Sequence, residues 1–368
     1  MTQGVVTVQG LRLRDGPDGA VVAPNLDKGV RVEMLESKAG WTRINTLTPP
    51  VRGGWVSGQF LSPAVAVAAP APPAPAPPPM PDDADHPVRV AEGKAISPDG
   101  RPFASVYKGG FYTIGRTSLA GWLSGNPPPA AVKPSAVRVV RAVSANEGLL
   151  EAINSYDNCY MSIGLFQWTC GPAGDAGELP ALLAALKRSS PGAFQDCFGR
   201  YGLDVRAGDA TTTTGHLVLD GVVLNTAARK LQLRSAQWAY RFWRAGHHHD
   251  MRGCQLSFAA DRMARFLDAR VAGVAIRRWF TSEHGVALVL DQHVNRPGHV
   301  PGALAVAVAN IGATDPSDWK TADEARLIAA YVLARKATTM TDPIKRAERI
   351  ADAVNQTMLS AARGSFVI

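Results

Sequence analysis

The sequence predicts a multi-domain chain: a small all-β barrel at the N-terminus, then a larger, mainly α domain of α+β type that carries one small β-hairpin. Three observations carry the prediction. Residues 1–63 alternate apolar and polar positions in short runs broken by turn signals. Residues 64–85 are dominated by alanine and proline. From about residue 136 onward, apolar residues recur at three- and four-residue spacing. The 368-residue chain is long enough for one small and one large domain, and 46% hydrophobic against 19% charged residues lets both bury a core.

In the first module the runs are Val5-Val6-Thr7-Val8, Leu11-Arg12-Leu13-Arg14, Val30 to Leu35, Trp41-Thr42-Arg43-Ile44 and Gly54-Trp55-Val56. Turns fall at Asp15-Gly16-Pro17-Asp18-Gly19 and at Ala39-Gly40. The Leu11-to-Pro17 opening, the Gly29-to-Glu33 strand, the Gly40-to-Ile44 strand and the Gly54-to-Ser57 closing strand stand in the order seen in bacterial SH3-like domains, and over about sixty residues the module resembles that family. The resemblance implies binding of cell-wall peptides or glycans, with Trp41 and Trp55 among the substrate-binding residues. Each tryptophan has an ordinary alternative use as filling for a very small core.

Proline blocks both helix and ladder hydrogen bonds, so 64–85 reads as a polyproline-type linker. At about 3.1 Å per residue it reaches roughly 65–70 Å. A binding module on a semi-rigid arm suits a polymeric substrate. Residues 86–135 read as a lead-in to the large domain, with strands at Val88-Arg89-Val90 and Phe111 to Gly115. The large domain proper is expected over 136–368. Helices are expected over 179–186, 227–244, 254–270, 286–294, 304–309, 322–336 and 343–362, with starts at Glu178-Leu179-Pro180 and Thr341-Asp342-Pro343. One β-element is expected at 156–168.

The chemistry centres on Asn146-Glu147-Gly148, Tyr156-Asp157 and Ser162 to Trp168. Cleaving a glycosidic bond needs a carboxylic acid held protonated by an apolar surround, and a second group that stabilises the sugar cation or activates water. Glu147 follows an apolar run and precedes Gly148-Leu149-Leu150, which suits the acid. Asp157 is the candidate second carboxylate, Ser162 can position a water, and Tyr156, Gln167 and Trp168 offer ring faces and an amide to sugars. This segment resembles the active-site region of the lysozyme superfamily, in which Glu-Gly after a helix is followed by an Asp and a Thr-Ile-Gly strand. The spacing from Glu147 to Ser162 matches that pattern, with Ser in place of Thr, while Asp157 is offset by about one residue. The Ser162-to-Trp168 stretch is also similar to the Gly-Leu-Met-Gln stretch of lytic transglycosylases. The resemblance covers some 25 residues and implies a peptidoglycan hydrolase, a muramidase or transglycosylase, with Glu147 as general acid. Taken singly, each residue has a plain structural use: a cap, a turn, a packed aromatic.

Other constellations compete. Glu178 is the alternative second carboxylate, with Glu283 behind it. Asp291 to His299 is polar within an apolar setting, so His293 and Asn295 are candidates for contacting sugar or for an internal hydrogen-bond network. Asp196-Cys197-Phe198-Gly199 faintly resembles papain-like wall peptidases, with His299 as partner, but Phe198 stands where that family has Ser. His247-His248-His249 cannot all face one ion from a helix, and Cys159, Cys170, Cys197 and Cys254 show no zinc-ligand spacing. No metal or cofactor is expected. The net charge of +8 favours polyanions, but the basic residues are scattered, which argues for an acidic wall polymer over nucleic acid. No run is long and apolar enough to span a membrane. Met1-Thr2-Gln3-Gly4 shows no secretory signal, so the expected route to the periplasm or wall is lysis, a holin or an injection apparatus. A non-catalytic wall-binding component of such an apparatus is the remaining alternative, and the oligomeric state is left open.

Overall fold

The computed structural model describes residues 2–22, 25–47, 51–63, 87–207 and 213–368. The chain divides into two compact units, Met1–Pro78 and Pro79–Ile368. The expected linker over 64–85 lies outside the described residues.

In the first unit β1 (Thr2–Val6), β2 (Arg31–Lys38), β3 (Trp41–Thr46), β4 (Gly53–Ser57) and β5 (Leu61–Pro63) form one antiparallel sheet in the order β4-β3-β2-β1-β5. The arm between β1 and β2 folds on itself through Leu11↔Leu26 and Arg14↔Val21, and Arg14 then bridges to Trp55 on β4. That bridge covers a strand edge that would otherwise stay open. The core is aliphatic: Val6, Leu11, Leu13, Leu26, Val32, Ile44 and Val56. Along β3 the buried positions are Thr42, Ile44 and Thr46, so period-two alternation turns Trp41 to the other face. Trp55 is likewise only half-buried, beside the buried Val56. The core-filling use of the two tryptophans is therefore corrected, since Leu13, Ile44 and Val56 take that space.

The second unit opens with a sheet larger than expected. β6 (Arg89–Ala91), β7 (Lys94–Ile96), β8 (Pro102–Tyr107), β9 (Gly110–Thr113), β10 (Ile153–Asn154), β11 (Ser162–Ile163) and β12 (Trp168–Thr169) lie side by side in sequence order. The lead-in and the hairpin are one structure, because β9 pairs with β10 through Tyr112↔Asn154 and Thr113↔Ile153. Between those strands the chain leaves the sheet for α1 (Leu119–Leu123) and α2 (Pro134–Ser144). Strands of two to six residues separated by such an excursion carry too little alternation to announce a common sheet.

The remaining elements follow in order: α3 (Glu178–Ser189), α4 (Pro191–Cys197), a small sheet of β13 (Leu203–Ala207), β14 (Gly215–Leu219) and β15 (Val222–Val223), then α5 (Ala227–Lys230), α6 (Ala236–Ala245) and α7 (His249–Asp268). A two-stranded ribbon, β16 (Arg270–Val271) and β17 (Val274–Ala275), leads to α8 (Ile276–Trp279), α9 (Glu283–Asn295), α10 (Val300–Asn310), α11 (Thr321–Arg335) and α12 (Pro343–Asn355). Gly285 to Gln292 of α9 are all buried, so this helix is enclosed around its circumference and central, packed by α2, α10, α11 and α12. Ser282 caps it by accepting the Gly285 N–H at 3.0 Å.

A buried lysine ties the sheet to the helices. Lys230, 1% exposed, shares the three N–H groups of its Nζ among the carbonyls of Cys170 (2.9 Å), Gly171 (2.9 Å), Pro172 (2.6 Å) and Asp175 (2.7 Å). The loop after β12 is thus gathered around one ammonium. Lys230→Met keeps the stem and removes the charge, leaving four carbonyls without that donor. We expect it to lower the stability of the second unit by about 3 kcal/mol, read as a lower urea midpoint at unchanged slope; an unchanged midpoint would show the lysine to be dispensable.

Candidate active site

Glu147 stands just past the end of α2, on a turn in which its own N–H bonds to Ser144 O at 3.1 Å. Gly148 then donates to Leu165 O at 3.2 Å, at the β11–β12 turn. A Cβ at 148 would stand 2.8 Å from Gly164 O and 3.2 Å from Gln167 Nε2, so only glycine permits this approach. The Glu-Gly pair is thereby pressed against the segment that also carries Gln167, whose Nε2 donates to Gly164 O at 3.1 Å.

The Glu147 carboxylate is 14% exposed and is bound by the Arg346 guanidinium of α12. Arg346 is itself held: Nε and Nη2 reach Asp291 Oδ1 at 3.1 and 2.8 Å, and Nη1 reaches Asn146 O at 3.1 Å. Asp291, fully buried on α9, also accepts from Asn146 Nδ2 at 3.1 Å and from the buried Arg335 of α11. Burial pushes the Glu147 carboxyl above its ordinary value; the Arg346 charge and hydrogen bond pull the other way, and burial wins.

A second cluster faces the same charge. Arg262 of α7 donates from Nη1 to Glu178 Oε2 at 2.8 Å, from Nε to His293 Nδ1 at 2.9 Å and from Nη2 to His293 O at 2.9 Å. Its charge also acts on Glu147. His293 stacks on Phe266 at 4.9 Å, and burial, followed by Arg262 and Arg265, holds it down at about 3. It is a neutral acceptor that orients Arg262, not a cation for substrate. Asn295 closes α9 with its Oδ1 buried and without a hydrogen-bond partner among the described residues.

The other expected residues separate. Asp157 belongs to the β10–β11 loop, where Oδ2 accepts from Asn154 Nδ2 and Oδ1 from Cys159 N, both at 2.8 Å. Both oxygens build a turn, which weighs against it as the second catalytic carboxylate. Glu178, a third exposed and engaged by Arg262, keeps that candidacy. Ser162 is buried on β11, paired with Asn154 and Thr169. Tyr156 is half-buried and packs on Tyr107 and Tyr112. Trp168 is 0% exposed, enclosed by Phe166 and Phe258, so the expected contact with sugar is corrected: the ring is core. In the first unit Trp41 lines a groove of about 490 Å³ with Arg12, Arg14, Gln59 and Phe60, and Arg14 lies 5.5 Å over its ring. Trp55 does not line that groove.

The rival constellations have structural uses. Cys197 is 2% exposed with its thiol pushed up to about 11 by burial, while His299 is exposed. His247 bonds Trp243 O, His248 caps α7, and His249 packs on Trp122. The arginines escaped the sequence reading. Arg335 follows Tyr331 by four residues and Arg346 precedes Ile350 by four, so both lie on the buried stripes of their helices. A basic residue on such a stripe calls for a buried acid, and that signal would have pointed to Asp291.

Because the folded state raises the Glu147 carboxyl above its unfolded value, that group favours folding most below the unfolded value, and this contribution is lost as pH rises through the folded one. Glu147→Gln removes the ionisation. The variant should gain melting temperature over the parent as pH climbs from 4 to 8. A difference that stays flat or shrinks would show that the carboxyl is not raised.

A comparison with protein-family models finds no match for this chain, and a comparison with curated proteins finds none either.

Proposed function

We propose that the second unit cleaves the glycan strand of peptidoglycan, at the β-1,4 bond between N-acetylmuramic acid and N-acetylglucosamine, with Glu147 as the proton donor. The observation that carries this reading is the Glu147 carboxyl itself, raised by burial although an arginine touches it. A sugar oxygen is a poor leaving group and needs a proton as the bond breaks. A carboxylic acid in a largely dry setting holds its proton to higher pH than a solvated one. Once the proton has gone, Arg346 is already in place to receive the carboxylate. The hydroxyl of Ser162 is the candidate for placing a water, and Glu178 is the candidate for the second carboxylate.

The likeness of 147–168 to the lysozyme superfamily supports the same reading. The first unit, with its resemblance to bacterial SH3-like domains, is proposed to hold the wall through the Trp41 groove. The chain then acts in the periplasm or at the wall. A cysteine peptidase reading draws no support from a thiol as buried as Cys197.

The test is digestion of purified peptidoglycan followed by mass spectrometry of the fragments. We expect reducing muramic acid ends, a loss of roughly 10²–10⁴ in rate for Glu147→Gln, and full activity for Cys197→Ala. Anhydro-muramic ends with the same dependence on Glu147 would mean the same cut completed without water. Cleaved peptide stems, or no fragments at all, would sink the proposal.

A further inference from the structure

One face of the seven-stranded sheet carries a feature that neither the core nor the proposed acid uses. The register sets Thr169, Ser162, Asn154, Tyr112, Ser105 and Lys94 opposite one another, one from each of six adjacent strands. Residues directly opposite share a face, and Lys94 Nζ indeed donates to Ser105 Oγ at 2.9 Å. The other face turns Ile153, Ile163 and Trp168 into the core. The result is a polar ladder that is buried at Ser162 and opens to the surface from Tyr112 through Ser105 to Lys94.

Three tyrosines stand on this ladder. Tyr107 is 46% exposed and Tyr112 is 42% exposed. Tyr156 meets the first edge-on at 4.7 Å and the second at 6.0 Å. Its position is built in. Asn154 Oδ1 accepts the Tyr156 N–H at 3.1 Å while its Nδ2 holds Asp157. The loop then crosses Gly110, where a Cβ would stand 2.6 Å from Ser155 O and 2.7 Å from Tyr156 Cα. Lys108 lies 5.2 Å over the Tyr107 ring. The aromatic group is therefore held in one arrangement at the surface, with ordering already complete before anything binds.

We infer that this face is an extended platform for a glycan strand, taking sugar units remote from the bond that is cut; the inference rests on the proposed glycan-cleaving function. Ring faces of exposed tyrosines match the apolar faces of pyranose rings, and the half-buried Ser105 hydroxyl matches a sugar hydroxyl. Lys94 and Lys108 match the carboxylates of an acidic wall polymer. Continuity with the candidate site comes through Ser162: its strand runs into the Gly164–Gln167 turn that holds Glu147-Gly148.

Binding tests the platform without passing through catalysis. The full chain carrying Trp41→Ala, which removes the first unit's aromatic contact, is titrated calorimetrically with peptide-free glycan strands and with an amino-sugar disaccharide. Adding Tyr107→Ala and Tyr112→Ala should weaken strand binding about tenfold and leave the disaccharide unchanged. The paired Phe replacements, which keep the rings, should restore strand binding. Unchanged strand affinity in the alanine variant, or no strand binding before the tyrosines are altered, overturns the platform. A chain that binds strands through the tyrosines yet releases no fragments would instead count against the proposed cleavage alone.

Discussion

The structure around Glu147 depends on one buried charge, the carboxylate of Asp291. It is fully enclosed in the central helix, and it gathers Asn146 from the α2 end, Arg335 from α11 and Arg346 from α12. Burying an ion is unfavourable unless its partners are close and its lone pairs are used. Here both oxygens are engaged by guanidinium groups. The packing of the helices and the aim of Arg346 are consequently one problem with one solution. Removing Asp291 would strand two arginines, and Arg335 already has Nε and Nη1 without partners among the described residues.

The sheet solves the complementary problem of bringing a turn to the acid. Gly148 lets the α2 end lie against Gly164, and Gly110 lets the β10–β11 loop lie across β9. Each is a place where a single methyl group would push backbone apart. Asn154 joins the two effects, since it sits in the ladder beside Ser162 and also folds the loop that carries Tyr156. Asp157, which sequence spacing singled out for chemistry, is thus explained as a turn residue. Its two bonded oxygens have a physical root: the loop needs an acceptor there.

What was legible in the sequence was local. Helix starts at Glu178 and Pro343 stand where acid and proline signals put them. Glu147-Gly148 was visible because the acid ends an apolar run and stands before Gly148-Leu149-Leu150, a half-buried setting. The β14–β15 hairpin was not read, although Asp220-Gly221, both in the left-handed region that a tight hairpin turn asks for, marks it. The partners of Glu147 were not legible. Arg346 meets it across 199 positions, and a lone arginine in an amphipathic helix resembles any solvated charge until its face is known. The common sheet of β6–β12 was hidden for the opposite reason: its strands are short, and an excursion of two helices separates β9 from β10.

Charge counting explains why an arginine against Glu147 does not defeat its proposed role as an acid. With Glu147 protonated, Arg346 and Arg335 against Asp291 leave the cluster one positive charge in excess. With Glu147 ionised, the cluster is neutral. On the proposed reading, donating the proton coincides with cancelling that excess, at the moment when positive charge develops on the sugar ring. A site that was already neutral with the acid protonated would turn negative on proton transfer and leave a buried carboxylate unpaired. A site without Asp291 would still hold one positive charge, after proton donation, against the developing sugar cation. The buried triad of Arg335, Asp291 and Arg346 sits between these cases: its single excess charge is the one that proton donation removes.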